Sequence, residues 1–283
     1  MVHEQQATIL LIEDNPLTLR VLIEHLQRLG YQTAVARSAE EALRQIGMQK
    51  PDLILLDILL PGMDGFEACR RLKGNVETQD IPVIFLTALS QTEDKVKAFE
   101  AGGVDFLTKP VDFKEVSARI HTRLTIQKLQ RRLKTRNNAI SSGQTSVHGR
   151  KPIIWVVEDN PMTLQLIVKY LAGMGFDAVG MSTGEELLER VKSAIPDLIL
   201  LDVMLPGIDG FETCRQLKRT GQVRDIPVIF MTALADVHDK VTAFEAGAAD
   251  YITKPHHYAE IATRINTHLT LQTLQRQLND VYH

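Results

Sequence analysis

Cysteine is scarce in this sequence. Its 283 residues include two cysteines, Cys69 and Cys214. They fall at equivalent places of the two halves, and two thiols cannot build the disulfide framework that many small secreted domains need. We therefore expect both to be small core or helix residues and the protein to work in the reducing cytoplasm.

Long apolar runs and a large net charge are also missing. No stretch approaches the roughly 18 apolar residues of a membrane span. The N-terminal letters MVHEQQ lack the basic start and apolar segment of a signal peptide. A formal net charge of -3 gives the whole chain no attraction for nucleic acid or for an anionic membrane. We expect neither as a partner.

The composition that remains is that of a globular protein. Apolar residues make up 44% and charged residues 24%, which is the usual balance for folded domains. At roughly 150 residues per domain, the length predicts about two domains.

An internal repeat supports this estimate. The segment PDLILLDILLPG, at residues 51–62, returns as PDLILLDVMLPG at residues 196–207. The same offset, 158 - 13 = 145, relates Glu13 to Glu158. Such a long period indicates two copies of one domain and not a stack of short repeats.

A segment rich in Ser, Asn and Gly separates the copies and has no apolar period, which is typical of a flexible linker. The expected division is a first domain with a helical extension, a linker, and a second domain with a helical tail, at residues 1–134, 135–151 and 152–283.

Each copy alternates short apolar runs with segments of helical spacing. Continuous apolar runs predict strands that are covered on both faces, as in parallel sheets. In the first copy these runs lie at residues 7–12, 33–36, 53–56, 82–86 and 105–107. Five strand–helix units predict an α/β fold with a doubly wound, five-stranded parallel sheet, ending in an extended helix from about residue 112.

Polar residues follow four of these strands. In the first copy they are Glu13, Asp14, Asp57, Thr87 and Lys109, and in the second Glu158, Asp159, Asp202, Thr232 and Lys254. Ligands of doubly wound sheets bind at the carboxyl ends of the strands. We therefore expect each set to converge on one crevice.

The residue types indicate a particular chemistry. Acids that share a pocket repel one another, and Mg²⁺, which prefers oxygen ligands, relieves that repulsion. Asp14 and Asp57 are placed to bind it directly and Glu13 through water. Lys109 can pair with a phosphate and the Thr87 hydroxyl can donate to one. The set predicts phosphoryl transfer onto a carboxylate.

With Ala88, Pro110 and the turn PGMDG at residues 61–65, the set resembles the receiver domain of bacterial response regulators. The second copy, with Ala233, Pro255 and PGIDG at residues 206–210, resembles it equally, and the likeness covers nearly all of both halves. It implies a flavodoxin-like fold, one Mg²⁺ per domain, and transfer of phosphate from a histidine kinase or phosphotransfer protein to Asp57 or Asp202. Phosphorylation would then switch protein–protein interactions.

The resemblance also assigns roles to residues beyond the acids. It implies that the backbone carbonyls of Leu59 and Met204 are metal ligands. It implies that Phe106 and Tyr251 are the aromatic residues that change rotamer on phosphorylation.

Other functions stay open at this point. One copy could be a docking adaptor that is never phosphorylated, or the chain could be the receiver part of a larger hybrid kinase or output protein. A phosphatase with an aspartyl nucleophile is disfavoured, since Asp57 is followed by Ile58, Leu59 and Leu60 and not by the second acid and the threonine of D-x-D-x-T. We expect no enzyme activity beyond the protein's own phosphorylation and dephosphorylation.

The C-terminal helix of each copy carries a second apolar stripe. Its members are Ile126, Leu129 and Leu133 in the first copy, and Leu271, Leu274, Leu278 and Val281 in the second. Spacings of three and four residues indicate a short coiled-coil seam. We expect a homodimer through these helices, the alternative being packing of the helix on the other receiver.

Several further residues carry expectations. By the same resemblance, the path of the hydrolytic water beside each acceptor is flanked by Leu59 and Leu89 in the first copy and by Met204 and Leu234 in the second. These apolar side chains have no group to orient a water molecule, which predicts slow autodephosphorylation. Histidines 121, 268, 256 and 257 are interpreted as surface residues without a catalytic or metal role, and Trp155 as a core residue.

Overall fold

The computed structural model describes most of the chain, and two compact units are visible in it. The described residues are 6–87, 97–137, 150–221, 223–232, 242–254 and 258–279. The units are residues 1–128 and 129–283.

The first half alternates strands and helices in the predicted order. Its elements are β1 (Thr8–Ile12), α1 (Pro16–Arg28), β2 (Gln32–Ala36), α2 (Ala39–Met48), β3 (Leu53–Asp57), α3 (Gly65–Gly74), β4 (Val83–Thr87), β5 (Asp105–Thr108) and α4 (Phe113–Asn137). Between β4 and β5, residues 97–100 are helical. Residues 88–96 lie outside the described part, so the helix expected there is described only at its end.

The strands form one parallel sheet with the order β2-β1-β3-β4-β5. The connections reverse direction between β1 and β3, which makes their carboxyl ends a switch point. This order confirms the doubly wound, flavodoxin-like fold.

Apolar residues alternate between the two faces of the sheet. On β3, Leu53 and Leu55 pack with residues of α1 and α4, whereas Ile54 and Leu56 pack with residues of α2 and α3. All four are fully buried. Each such leucine or isoleucine contributes about 1.5–3 kcal/mol by leaving water, so cover on both faces explains the continuous apolar run.

Polar caps start the helices where the strands end. Asn15 accepts hydrogen bonds from the amides of Leu17 and Thr18 at 2.9 and 3.2 Å, and Asp64 caps α3. Ser38 caps α2 and accepts a hydrogen bond from the Glu41 amide at 3.2 Å.

The second half repeats the first. Its elements are β6 (Ile153–Val157), α5 (Pro161–Gly173), β7 (Asp177–Met181), α6 (Gly184–Arg190), β8 (Leu198–Asp202), α7 (Gly210–Arg219), β9 (Val228–Thr232), β10 (Asp250–Thr253) and α8 (Tyr258–Asn279). The strand order is β10-β9-β8-β6-β7, all parallel, which is the same topology. Trp155 lies in the core of this half, as predicted, with 2% of its surface exposed.

The surface position predicted for His268 is wrong. This side chain is buried, and its Nε2 lies 3.3 Å from the Asp250 carboxylate. Arg264, one turn earlier on α8, contacts the same carboxylate at 3.3 Å. An acid at the start of β10 therefore provides a buried polar partner, which makes burial of the imidazole acceptable.

The other histidine predictions have different outcomes. His121 is exposed, as predicted. His256 and His257 lie outside the described residues.

The long helices α4 and α8 extend beyond their sheets. On α8, Leu271, Leu274 and Leu278 are partly buried, while Val281 and the side chain of Leu133 are outside the described part. Among the described residues, no helix combines the length and apolar character that crossing a membrane requires.

Candidate functional site

Three carboxylates meet at the switch point of the first sheet. Glu13 and Asp14 follow β1 and Asp57 ends β3, and one oxygen atom from each lies within 4.8 Å of the others. Glu13 and Asp57 are buried, while Asp14 faces solvent. The buried Glu13 and Asp57 thus form the floor of the site, and the exposed Asp14 lies where the site opens to solvent.

A lysine from the end of β5 joins the buried pair. Lys109 Nζ lies 2.5 Å from Glu13 Oε2 and 2.7 Å from Asp57 Oδ2. Burial pushes the pKa of Lys109 down, but the bonds to Asp57 and Glu13 outweigh it and hold that pKa above the usual lysine value. The ammonium group is therefore charged at neutral pH.

The pKa of Glu13 reflects the crowding of the acids in this site. Burial raises the pKa of this carboxyl; Lys109 opposes the rise and the nearby Asp57 charge adds to it. One ammonium does not balance three carboxylates, so the site favours a further positive charge.

The backbone orients the Asp57 carboxylate. Its Oδ1 accepts a hydrogen bond from the Leu59 amide at 3.1 Å, and its Oδ2 bonds to Lys109. Each oxygen of this carboxylate thus has a hydrogen-bond partner among the described residues. The Leu59 side chain, 60% exposed, stands at the rim of the site.

Thr87 and Phe106 occupy the neighbouring strands. Thr87 ends β4 and is buried. Phe106, on β5, is 5% exposed and meets Phe99 edge to face at 5.9 Å. In the second half Tyr251 meets Phe244 in the same way at 6.0 Å. The structure therefore places the hydroxyl on the strand beside the acceptor strand and the aromatic ring on the strand after it.

The second half reproduces the acidic site. Glu158, Asp159 and Asp202 offer oxygen atoms within 4.8 Å of one another. Lys254 Nζ lies 2.7 Å from Glu158 and 2.6 Å from Asp202. The Met204 amide donates to Asp202 Oδ1 at 3.1 Å, and Thr232, at the end of β9, is buried. The predicted acids, lysine and threonine of each half thus lie at the carboxyl edge of their own sheet.

Sequence reasoning missed the reason for two glycines. Gly65 and Gly210 were interpreted as turn residues, but each begins a helix pressed against the acceptor strand. A Cβ on either would lie 2.2 Å from the backbone oxygen of Asp57 or Asp202. The glycine at this repeat position was visible in the sequence, but the close approach was not.

It also missed a glutamate near each acceptor. The Met63 amide donates to Glu40 Oε1 at 3.1 Å, and the Ile208 amide donates to Glu185 Oε1 at 3.0 Å. Both glutamates recur at the offset of 145 residues, which is the one signal that could have drawn attention to them.

Comparison with known families agrees with this geometry. The sequence profile described as "Response regulator receiver domain" matches residues 9–121 and 154–266, which together exceed half of the chain.

Two curated relatives show the extent of the similarity. The response regulator PleD of Caulobacter vibrioides (strain NA1000 / CB15N) is 29% identical over 270 residues, covering 93% of this chain and 59% of the relative. The transcriptional regulatory protein BaeR of Escherichia coli O6:H1 is 40% identical over 127 residues, covering 45% of this chain and 52% of the relative. The chain thus spans between half and two thirds of the length of these relatives.

Parts of the chain are also similar to solved structures. A response regulator from Chloroflexus aurantiacus J-10-fl is 36% identical, covers 42% of this chain and 98% of its own, and has a TM-score of 0.42. The receiver domain of the sensor histidine kinase PA1611 of Pseudomonas aeruginosa PAO1, solved with a magnesium ion in its active site cleft, is 34% identical. It covers 42% of this chain and 97% of its own, with a TM-score of 0.39.

Two profile matches, two sheets of the same topology and two acidic sites lead to one conclusion: the chain belongs to the response regulator receiver family and carries two receiver domains in tandem.

Proposed function

We propose that Asp57 and Asp202 each accept a phosphoryl group in a Mg²⁺-dependent reaction. The observation that carries the proposal is the repeated placement of the acceptor carboxylate, with one oxygen on a backbone amide and the other on a lysine. This holds the carboxylate in one orientation and balances part of its charge.

The residues fit a hard divalent cation. Mg²⁺ prefers oxygen ligands, keeps several waters and often uses one or two carboxylates. Each site has three clustered acids, one of them open to solvent. In the first domain Glu13, Asp14, Asp57 and the Leu59 carbonyl would hold the ion; in the second, Glu158, Asp159, Asp202 and the Met204 carbonyl. When bound, it neutralises charge that develops on the transferred group.

The chain's own groups would then perform the transfer. An Asp57 oxygen attacks the phosphorus of a phosphohistidine, the O–P bond forms as the N–P bond breaks, and the imidazole leaves. Lys109 would bond to the new phosphoryl oxygens and Thr87 would donate its hydroxyl to one of them. Lys254 and Thr232 have the same roles at Asp202.

Phosphorylation would act as a switch through the buried aromatic residues. Movement of Thr87 toward the phosphoryl group leaves room beside β5, where Phe106 lies. Tyr251 takes this position in the second domain and carries a hydroxyl that Phe106 lacks. We therefore expect the two domains to share a reaction and to differ in how they report it.

The phosphodonor class follows from the acceptor chemistry. A histidine kinase or phosphotransfer protein would supply the phosphoryl group, and a cytoplasmic location is consistent with the two free, buried thiols. For the two receiver domains we propose no catalysis beyond their own phosphorylation and dephosphorylation. Homodimer formation through α4 and α8 remains a prediction that the partly buried leucines of α8 allow.

A small phosphodonor such as acetyl phosphate tests the proposal. With Mg²⁺, the full chain should take up two phosphoryl groups, Asp57→Asn and Asp202→Asn one each, and the double variant none. An adaptor role for one domain would appear as a single uptake in the unchanged chain. Uptake by the double variant would contradict the assignment of both acceptors.

A further inference from the structure

The loop after each acceptor is fixed at its base. In the first domain this acceptor loop is residues 59–64. Its first amide, of Leu59, donates to Asp57 Oδ1 at 3.1 Å. Where the loop ends, the Gly65 amide donates to the Ile58 carbonyl at 2.9 Å. The loop therefore leaves the acceptor strand and returns to it within six residues.

A second element holds the tip of the loop. Glu40, in the first turn of α2, accepts a hydrogen bond from the Met63 amide at 3.1 Å. Gly62 has φ = +81° and its Cβ, if present, would lie 3.0 Å from the same carboxylate oxygen. Glycine thus allows both the left-handed backbone and the close approach of the carboxylate.

The second domain preserves this contact while its side chains change. The Ile208 amide donates to Glu185 Oε1 at 3.0 Å. Gly207 has φ = +78°, and a Cβ there would lie 2.3 Å from that oxygen. The donor is Met63 in one domain and Ile208 in the other, so the shared feature is a backbone amide facing a glutamate.

The glutamate is suited to accept this bond. Hydrogen bonds from its own backbone amide, from Ser38 and from Met63 hold the pKa of Glu40 below its usual value. It is therefore ionised at neutral pH, and an ionised acceptor forms a stronger hydrogen bond than a neutral one.

We propose that Glu40 and Glu185 are positioning residues for the phosphoacceptor sites: each clamps its acceptor loop so that the backbone of Leu59 or Met204 stays aligned with the acceptor carboxylate and the metal. This inference rests on the proposed function. Neither glutamate is placed among the metal ligands.

The effect passes through a short chain of contacts. Glu40 fixes Met63, the loop connects Met63 to Leu59, and the Leu59 amide orients Asp57. Without the clamp, the loop keeps its base and the packing of Leu60 and Met63 on the core, but the Met63 amide loses its acceptor and the backbone of the tip must be ordered when the ion binds. The ordering cost then weakens Mg²⁺ binding instead of global stability.

The test compares three first-domain variants and one second-domain variant of the full chain by NMR. Glu40→Ala removes the acceptor, Glu40→Gln keeps an acceptor oxygen without the charge, and Glu41→Ala is the matched control. Glu41 is also in the first turn of α2, but its carboxylate accepts from the Arg37 amide at 2.7 Å. Hydrogen exchange of the Met63 amide reports the clamp, and a Mg²⁺ titration followed at the Leu59 amide reports the site.

Glu40→Ala should speed exchange at Met63 and weaken Mg²⁺ binding about fivefold, the size expected for one partly exposed charge-assisted hydrogen bond. Glu40→Gln, which keeps a weaker neutral acceptor, should fall between Glu40→Ala and the unchanged chain. Glu41→Ala should stay within about twofold of the unchanged chain. In the second domain of the same molecule, hydrogen exchange of the Ile208 amide and Mg²⁺ binding followed at the Met204 amide should not change. Glu185→Ala should reverse the pattern between the domains.

Three results would overturn the inference. They are an unchanged Mg²⁺ affinity in Glu40→Ala, a loss in Glu40→Gln as large as in Glu40→Ala, and an equal loss in Glu41→Ala. Failure of the proposed function is distinguishable, because the unchanged chain would then bind no Mg²⁺ at Leu59 and take up no phosphoryl group, whatever the Met63 exchange shows.

Discussion

Leu59 and Met204 bring apolar side chains to the rim of two otherwise polar sites. They are 60% and 62% exposed, so each can face a bound phosphoryl group without offering a hydrogen bond to water. We predict that both domains lose phosphate slowly. Leu59→Asn, which supplies an amide that can orient water, should speed the loss from the first domain about tenfold.

The measurement is the decay of phosphoprotein in the Asp202→Asn background, so that only the first domain reports. Met48→Asn is a suitable control, because Met48 is 84% exposed at the end of α2 and precedes the start of β3, whereas the acceptor lies at the other end of that strand. A lifetime of a few seconds without the Leu59 change would argue against the apolar rim as a brake on hydrolysis.

The two cysteines give a prediction about thiol reactivity. Cys69 on α3 and Cys214 on α7 are fully buried, and burial raises the pKa of each thiol to about 11. At pH 8 only about one thiol in a thousand is then a thiolate, the reactive form. Iodoacetamide should leave both unmodified in the folded protein and alkylate both in denaturant.

A cysteine introduced at Met48 would serve as the reactive control for this experiment. Stoichiometric labelling of Cys69 or Cys214 at the rate of the introduced thiol would show that the helices α3 and α7 do not shield them as described.

At the scale of elements, the start of the helix after each acceptor is packed tightly against the backbone of the acceptor strand. A Cβ at Gly210 would lie 2.2 Å from the Asp202 backbone oxygen, whereas one at Gly173, the last residue of α5, would meet nothing within 4 Å. We predict that Gly210→Ala destabilises the second domain by about 2–4 kcal/mol, because backbone must shift. Gly173→Ala should cost nothing or stabilise slightly.

The single tryptophan makes this prediction measurable. Trp155 is buried in the core of the second domain, so its fluorescence during denaturant unfolding reports that domain. Equal midpoints for Gly210→Ala and Gly173→Ala would mean that α7 moves away from β8 at little cost, contrary to the packing seen here.

The elements that the sequence predicted best are those fixed by local pattern. Continuous apolar runs such as LILL, at residues 53–56, require cover on both faces, and this requirement determines both the strand and its place inside the sheet. Asp57 and Lys109 could be predicted to meet because both end parallel strands, whose carboxyl ends share one edge.

Contacts that depend on the path of a loop could not be predicted. Glu40 reads as a solvated residue in the first turn of a helix, and only the fold brings the Met63 amide to it. The surface position predicted for His268 was wrong for a related reason: the burial of this side chain depends on Asp250, which lies eighteen residues earlier on a strand. No local pattern encodes such a partner.

The two domains also changed in pairs that a single copy does not reveal. Gly184 begins α6, and a Cβ there would lie 2.2 Å from Thr213 Oγ1. The equivalent residues of the first domain are Ala39 and Ala68. The second domain thus loses the alanine methyl group on one helix and has a larger threonine side chain on the neighbouring helix. The pairing of these two changes is evident only from the packing.

At the scale of the whole molecule, the chain presents the same reaction centre twice. Both centres retain the acids, the lysine and the hydroxyl, while the aromatic residue differs, Phe106 in one and Tyr251 in the other. Two complete sites favour two phosphorylation events over one active domain with an inert adaptor.

The most direct test locates the phosphoryl groups chemically. Borohydride reduction of the phosphorylated full chain converts an aspartyl phosphate to homoserine, and peptide mass spectrometry identifies the converted residue. We predict homoserine at positions 57 and 202, dependent on Mg²⁺, and at no other aspartate. Conversion elsewhere, or phosphate held on a different residue type, would contradict the account.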